Sequence, residues 1–143
     1  MPLISETVNI AASPAEIWQA ITEPATMARW MGEPEMDIKV HTSWEPASPY
    51  VVTGFHHARF ENKGQVLTYD APRQLSYSHF SSISRLPDVE ENYSIIAFTL
   101  TPGEGYTQLA LTIRNFPTDV IFRHLQFYWR TTIIKIKQLI EGA

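Results

Sequence analysis

The sequence predicts an α+β domain: a curved antiparallel sheet of about six or seven strands wrapped on a long C-terminal helix, with two short helices after the first strand. Three observations carry this reading. Short β-rich segments separated by Pro and Gly turns fill the middle of the chain. Apolar residues at three- and four-residue steps run through its last part, which is the period of an amphipathic helix. Between the first strand and the β-rich run lies SPAEIWQAITEPATMARWMG, residues 13–32, with two helix starts.

The elements follow in order. Ile4, Val8 and Ile10 among polar residues mark a strand over 3–10. Ser13 can cap a helix, Pro14 suits its first position, and Glu16 stands three residues after Ser13 as a capping box requires. Ile17, Trp18, Ala20 and Ile21 give that helix its apolar face. Pro24 ends it and opens a second short helix through Met27 and Trp30, closed by Gly32. Strands are expected over 37–44, 50–55, 60–69 and 75–80, with Gly64 as a bulge or bend. Residues 84–91 read as a polar loop, and Pro102, Gly103 and Gly105 as the hairpin joining strands 93–101 and 106–114. Pro117 stops the sheet, and Thr118 caps the last helix, with Asp119 in its first turn and Lys135 and Lys137 toward its end, as the macrodipole prefers. Phe122, Leu125, Trp129, Ile133, Ile136 and Ile140 form its apolar face. At 1.5 Å per residue, about 22 residues reach roughly 33 Å.

Composition narrows the function. The 143 residues, 1–143, make one domain with a single core. A net charge of −4 without a run of Lys or Arg argues against nucleic acid, whose phosphates need clustered cations. The absence of cysteine excludes disulfides, thiolate catalysis and Cys-ligated zinc, and fits a cytoplasmic location. MPLISETVNI lacks the basic and apolar regions of a signal peptide, and Arg130, Lys135 and Lys137 break the C-terminal apolar segment, so no membrane span is expected. One face of an antiparallel sheet needs cover, and the long helix supplies it. A cylinder does not fill a broad curved groove, and the gap suits a small apolar ligand.

SPAEIWQAITEPATMARWMG resembles the START-like (SRPBCC, birch-pollen-allergen-like) superfamily, and within it the branch related to the activator of the heat-shock-protein-90 ATPase. That branch shows PxxVWxALTxPxxxxxW, matched by Pro14, Ile17, Trp18, Ala20, Ile21, Thr22, Pro24 and Trp30. SPYVVTG (48–54), NKGQVL (62–67), YDAPRQLSY (69–77), ENYSIIAFTL (91–100) and GYTQLALT (105–112) are similar to further motifs of the branch, so the resemblance spans nearly the whole chain. It departs in WMG at 30–32, where many members have WWG, in Asn62 for Asp, and in Tyr128 before Trp129. The resemblance implies a helix-grip fold with an internal cavity. Superfamily members bind lipids, hormones, polyketides or other apolar molecules, a minority are cyclases or related enzymes, and the heat-shock activator acts through protein contacts.

No nucleophile elbow, HExxH, P-loop or dinucleotide fingerprint is present, and no catalytic residue, metal or cofactor is assigned. His56 and His57 are adjacent on a strand, so their rings should point to opposite faces and not share a metal. His41 and His124, and the pair Glu90 and Glu91, read as solvated. His79 shares parity with Leu75 and Tyr77 and is expected to face inward, where it could hydrogen-bond a ligand or act as acid or base. Trp18 reads as core, and Trp30 as core or cavity entrance. The candidate ligand-binding set is Trp30, Trp44, Tyr69, Tyr77, His79, Tyr93, Phe122 and Trp129. The leading function is binding of an apolar small molecule. The alternatives are a cavity enzyme of cyclase or hydrolase type using His79, and a chaperone-linked or oligomeric interaction module. Homodimerisation is compatible with all three.

Overall fold

The computed structural model describes residues 2–81 and 84–142. Strand β1 (Leu3–Ile10) leads into helices α1 (Pro14–Thr22) and α2 (Pro24–Met31). Strands β2 (Lys39–Thr42), β3 (Pro49–His56), β4 (Ala58–Asp70), β5 (Gln74–Ser81), β6 (Ser94–Pro102) and β7 (Thr107–Arg114) follow, and α3 (Asp119–Glu141) ends the chain. The seven strands form one antiparallel sheet in the order β1-β7-β6-β5-β4-β3-β2. Helices α1 and α2 carry the chain away from β1, which leaves β1 free to pair with β7, the last strand made.

The helix starts are those the sequence specifies. Ser13 Oγ accepts from the Glu16 amide at 3.2 Å, and Glu16 Oε1 accepts from the Ser13 amide at 3.1 Å, a reciprocal capping box. Glu23 ends α1 and is also the N-cap of α2, so Pro24 makes the break and the restart in one residue. Thr118 Oγ1 accepts from the Ile121 amide at 3.2 Å at the start of α3. The chain beyond Lys137 stays helical to Glu141, so the lysines fall short of the last turn, which holds no basic residue. Lys137 instead reaches Asn9 O and, at 2.9 Å, Glu141.

One sheet face carries the core. Ile96, Phe98 and Leu100 of β6 alternate inward beside Leu109, Leu111 and Ile113 of β7 and Ile4 and Ile10 of β1. Leu125, Trp129, Ile133 and Ile136 of α3 close over them. The α3 backbone runs nearest β1, α1 and α2, and its Trp129 meets Phe98 of β6 at 5.8 Å. Among the described residues, no helix is long and apolar enough to cross a membrane.

Three local expectations are corrected. The strand expected over 37–44 shrinks to Lys39–Thr42, because Asp37 and Trp44 adopt left-handed backbone (φ 47° and 63°) and end the pairing. The irregularity in β4 falls between Val66 and Thr68 rather than at Gly64. Gly64 serves close approach: a Cβ there would stand 1.8 Å from the Ser78 carbonyl oxygen. His56 and His57 do not splay apart. His57 sits at φ 65° in the β3–β4 turn, where alternation fails, and the two rings meet edge to face at 4.5 Å. Among the described residues no cluster of three ligating side chains accompanies them.

Candidate ligand site on the inner sheet face

Aromatic rings run in an unbroken series across the inner face. Trp18 meets Tyr69 at 5.2 Å, Tyr69 stacks on Trp44 at 5.9 Å, Trp44 meets Tyr50 at 5.6 Å, and Tyr50 stacks on Tyr77 at 4.1 Å. The series continues from Tyr77 to Phe98 at 6.5 Å, to Trp129 at 5.8 Å and to Trp30 at 5.8 Å. It therefore links α1, β4, the β2–β3 loop, β3, β5, β6, α3 and α2. Local sequence aims each ring. The register slip in β4 lets both Val66, opposite Tyr77, and Tyr69, opposite Leu75, share the inner face. Without that extra residue, strict alternation would turn one of them outward. The left-handed backbone of Trp44 is held by its amide donating to Thr42 Oγ1 at 3.1 Å and its indole N–H donating to Thr22 O at 2.6 Å.

Two further indole donors are also satisfied. Trp30 Nε1 donates to Ala20 O at 2.9 Å, and Trp18 Nε1 to Tyr69 Oη at 3.3 Å. Tyr128, one residue before Trp129, donates its hydroxyl to Met31 O at 2.7 Å. Tyr50 differs. It is 2% exposed, and its hydroxyl has no hydrogen-bond partner among the described residues. The Tyr77 hydroxyl lies close enough to interact with it and to raise it further, but the two do not meet in full hydrogen-bond geometry. Burial raises the Tyr50 phenol far above its ordinary range, raises Tyr77 as well, and pushes Tyr128 up to about 12. All three stay protonated at physiological pH.

Of the expected ligand-binding set, the structure brings Trp30, Trp44, Tyr69, Tyr77 and Trp129 into this one series. His79 lies half-buried two residues beyond Tyr77 on β5, opposite Ser94 in register. Burial first, and His124 of α3 second, push its imidazole down to about 4, so it is neutral at pH 7. Phe122 packs edge to face on Phe116 at 4.9 Å, near the start of α3. Tyr93 stands apart. It stacks on Phe80 at 5.0 Å and donates its hydroxyl to Asp88, which also takes an ion pair from Lys63. Tyr50, Trp18 and Phe98 belong to the series but not to the expected set. The signal for Tyr50 was present in β3, where it shares parity with Val52.

Among the described residues, two hollows open to the outside. One, of about 330 Å³, lies between the β1–α1 junction and the β6–β7 hairpin, lined by Ala12, Pro14 and Tyr106. The larger, of about 1030 Å³, lies on the other sheet face among Lys63, Leu67, Ser78, Glu91, Tyr93 and Arg114. Neither is the gap expected between the sheet and α3. In that space the aromatic series and the apolar face of α3 pack together.

A family model described as Activator of Hsp90 ATPase homolog 1-like protein matches residues 11–141. A solution structure from Cytophaga hutchinsonii is 26% identical, with a TM-score of 0.82, covering 99% of this chain and 95% of that one. A crystal structure from Chromobacterium violaceum is 17% identical (TM-score 0.83; 97% and 96% covered). The Aha1 dimer from Colwellia psychrerythraea is 20% identical (TM-score 0.77; 99% and 97% covered). No curated protein matches. With the match running through nearly all of α1 to α3, the chain belongs to the family of Activator of Hsp90 ATPase homolog 1-like proteins.

Proposed function

We propose that this chain binds a small, mainly apolar molecule between the inner sheet face and α3, against Trp44, Tyr50, Tyr69 and Tyr77. One observation carries the reading: a buried phenol hydroxyl without a partner amid stacked rings. Leaving such a group unsatisfied costs about 1–3 kcal/mol, a cost that a ligand's polar atom would remove. Trp30, Trp129 and Phe122 would contact the apolar body, and His79 would supply a second, neutral hydrogen-bonding group. Tyr93 belongs to this reading only if the ligand reaches β6 from the other side.

The test is a thermal-shift panel of neutral lipids and aromatic compounds, together with native mass spectrometry of protein purified from its source. A ligand present at 100 times its Kd stabilises by about 2.7 kcal/mol, which is a rise of several degrees. An unchanged melting temperature across the panel and a bare protein mass would contradict the proposal.

Two further readings each have one observation in favour. The neutral imidazole of His79 can accept a proton, which supports an enzyme of cyclase or hydrolase type at the same place. Val120, Phe127 and Ile134 recur at seven-residue intervals on α3 and are 76%, 72% and 47% exposed, which supports a contact surface. The similar protein from Colwellia psychrerythraea is described as a dimer, and a homodimer through α3 is the form that surface would take here. Absent cysteine supports a cytoplasmic setting.

A further inference from the structure

The chemistry of the layer under α3 narrows the kind of molecule it can receive. Among the described residues, the buried polar side chains are Thr22, Ser94, Thr107 and Thr132, and none is charged. Each already donates to a backbone carbonyl: Thr22 to Trp18 O at 2.6 Å, Ser94 to Asn115 O at 2.7 Å, Thr107 to Ala12 O at 2.8 Å and Thr132 to Tyr128 O at 2.7 Å. Among the described residues, Tyr50 Oη is the fully buried side-chain polar atom left without a partner. It is a protonated phenol, so it offers a donor.

A carboxylate brought to this point would lose its water and meet no Lys, Arg or protonated His among the buried described residues. An unpaired charge in such surroundings is strongly disfavoured. A cation would find aromatic faces, but Tyr50 and Tyr77 already cover each other at 4.1 Å, and no buried carboxylate neutralises it. A neutral acceptor atom meets neither penalty and satisfies the leftover hydroxyl. We infer that the molecule received here is uncharged, with a flat apolar body and one hydrogen-bond acceptor of ketone, ether or amide type that takes the Tyr50 hydroxyl. This rests on the ligand-binding reading above and makes Tyr50 the residue that sets the ligand class.

The experiment uses three probes on one ring system: acetonaphthone, naphthoate and naphthyltrimethylammonium. Their affinities are measured by calorimetry at pH 7 on the full chain, on Tyr50→Phe, and on Tyr106→Phe, an exposed tyrosine of the β6–β7 hairpin outside the site, as a control. The inference expects acetonaphthone to bind at least about tenfold more tightly than either ion. Tyr50→Phe should lose about tenfold of that affinity and Tyr106→Phe none, with both variants keeping the wild-type melting temperature within a few degrees. Equal binding of naphthoate or of the cation, or unchanged ketone affinity in Tyr50→Phe, overturns the inference but leaves ligand binding standing. Unchanged affinity would also mean that Tyr50 holds an ordered water only. Failure of all three probes, and of the wider panel, overturns the ligand-binding reading itself. Should Tyr50→Phe not fold, the ketone-to-ion preference of the wild-type chain decides.

Discussion

Burial acts on His79 and Tyr50 in opposite directions, and both end neutral. Desolvation disfavours the charged form, which lowers an imidazole and raises a phenol. For His79 the folded value, about 4, lies below the ordinary 6.5, so the unfolded chain binds more protons between those limits. Stability therefore rises with pH across that window and is lost as pH falls through it. His124 of α3 adds to the depression. Urea unfolding of wild type and His79→Gln should differ in slope between pH 6.5 and 4, with wild type losing on the order of 2 kcal/mol more. Parallel slopes would mean that His79 is solvated. Its shared parity with Leu75 and Tyr77 was legible from alternation. The placement of Tyr93 was not, because Ile95 and Ile96 are both apolar and hide the parity of β6. Ser94, Ile96, Phe98 and Leu100 are inward or buried in turn, which puts Tyr93 on the other side.

Elements show the same division between local and distant causes. The capping box at Ser13, the Pro24 restart and the apolar period of α3 are local, and each was legible from residues three or four apart. The register slip beyond Val66 was not, since it depends on where β5 lies rather than on a turn signal in β4. Nor was the anchoring of the α3 end. Glu141 accepts from the Ala11 amide at 2.8 Å and from Lys137 at 2.9 Å, and the Lys137 ammonium also donates to Asn9 O. The Ala11 hydrogen bond, then Lys137, hold the Glu141 carboxyl below its ordinary range. Sign follows: this contribution is present above the unfolded carboxylate range and is lost as pH falls through the lower folded value. Glu141→Gln should speed hydrogen exchange at the Ala11 amide at neutral pH while the central β6 amides stay protected. Equal exchange at Ala11 would show that the contact does not hold in solution.

At the scale of the molecule, the sheet order closes β1 onto β7 and seats α3 beside β1, α1 and α2. The fold class was legible because turn chemistry and two hydrophobic periods fix the number and kind of elements. The size of the gap beneath α3 was not, because it depends on how far each aromatic ring reaches across, which no period encodes. The outer face of α3 carries its own prediction. Phe127, exposed between Val120 and Ile134, should drive weak self-association, since three apolar residues a side fall short of the roughly 800 Å² per partner of a standard interface. Sedimentation equilibrium should show the wild-type average mass rising with concentration and Phe127→Glu staying monomeric; a concentration-independent monomer mass for wild type would exclude that contact.

The most direct measurement of the central claim is a crystal structure of protein purified without denaturation and grown with acetonaphthone. The account predicts the probe between α3 and β3–β5, its carbonyl oxygen about 2.6–3.0 Å from Tyr50 Oη. A closed aromatic series with Tyr50 bonded to a lone water, and the probe absent or seated in the groove beside Tyr93, would contradict it.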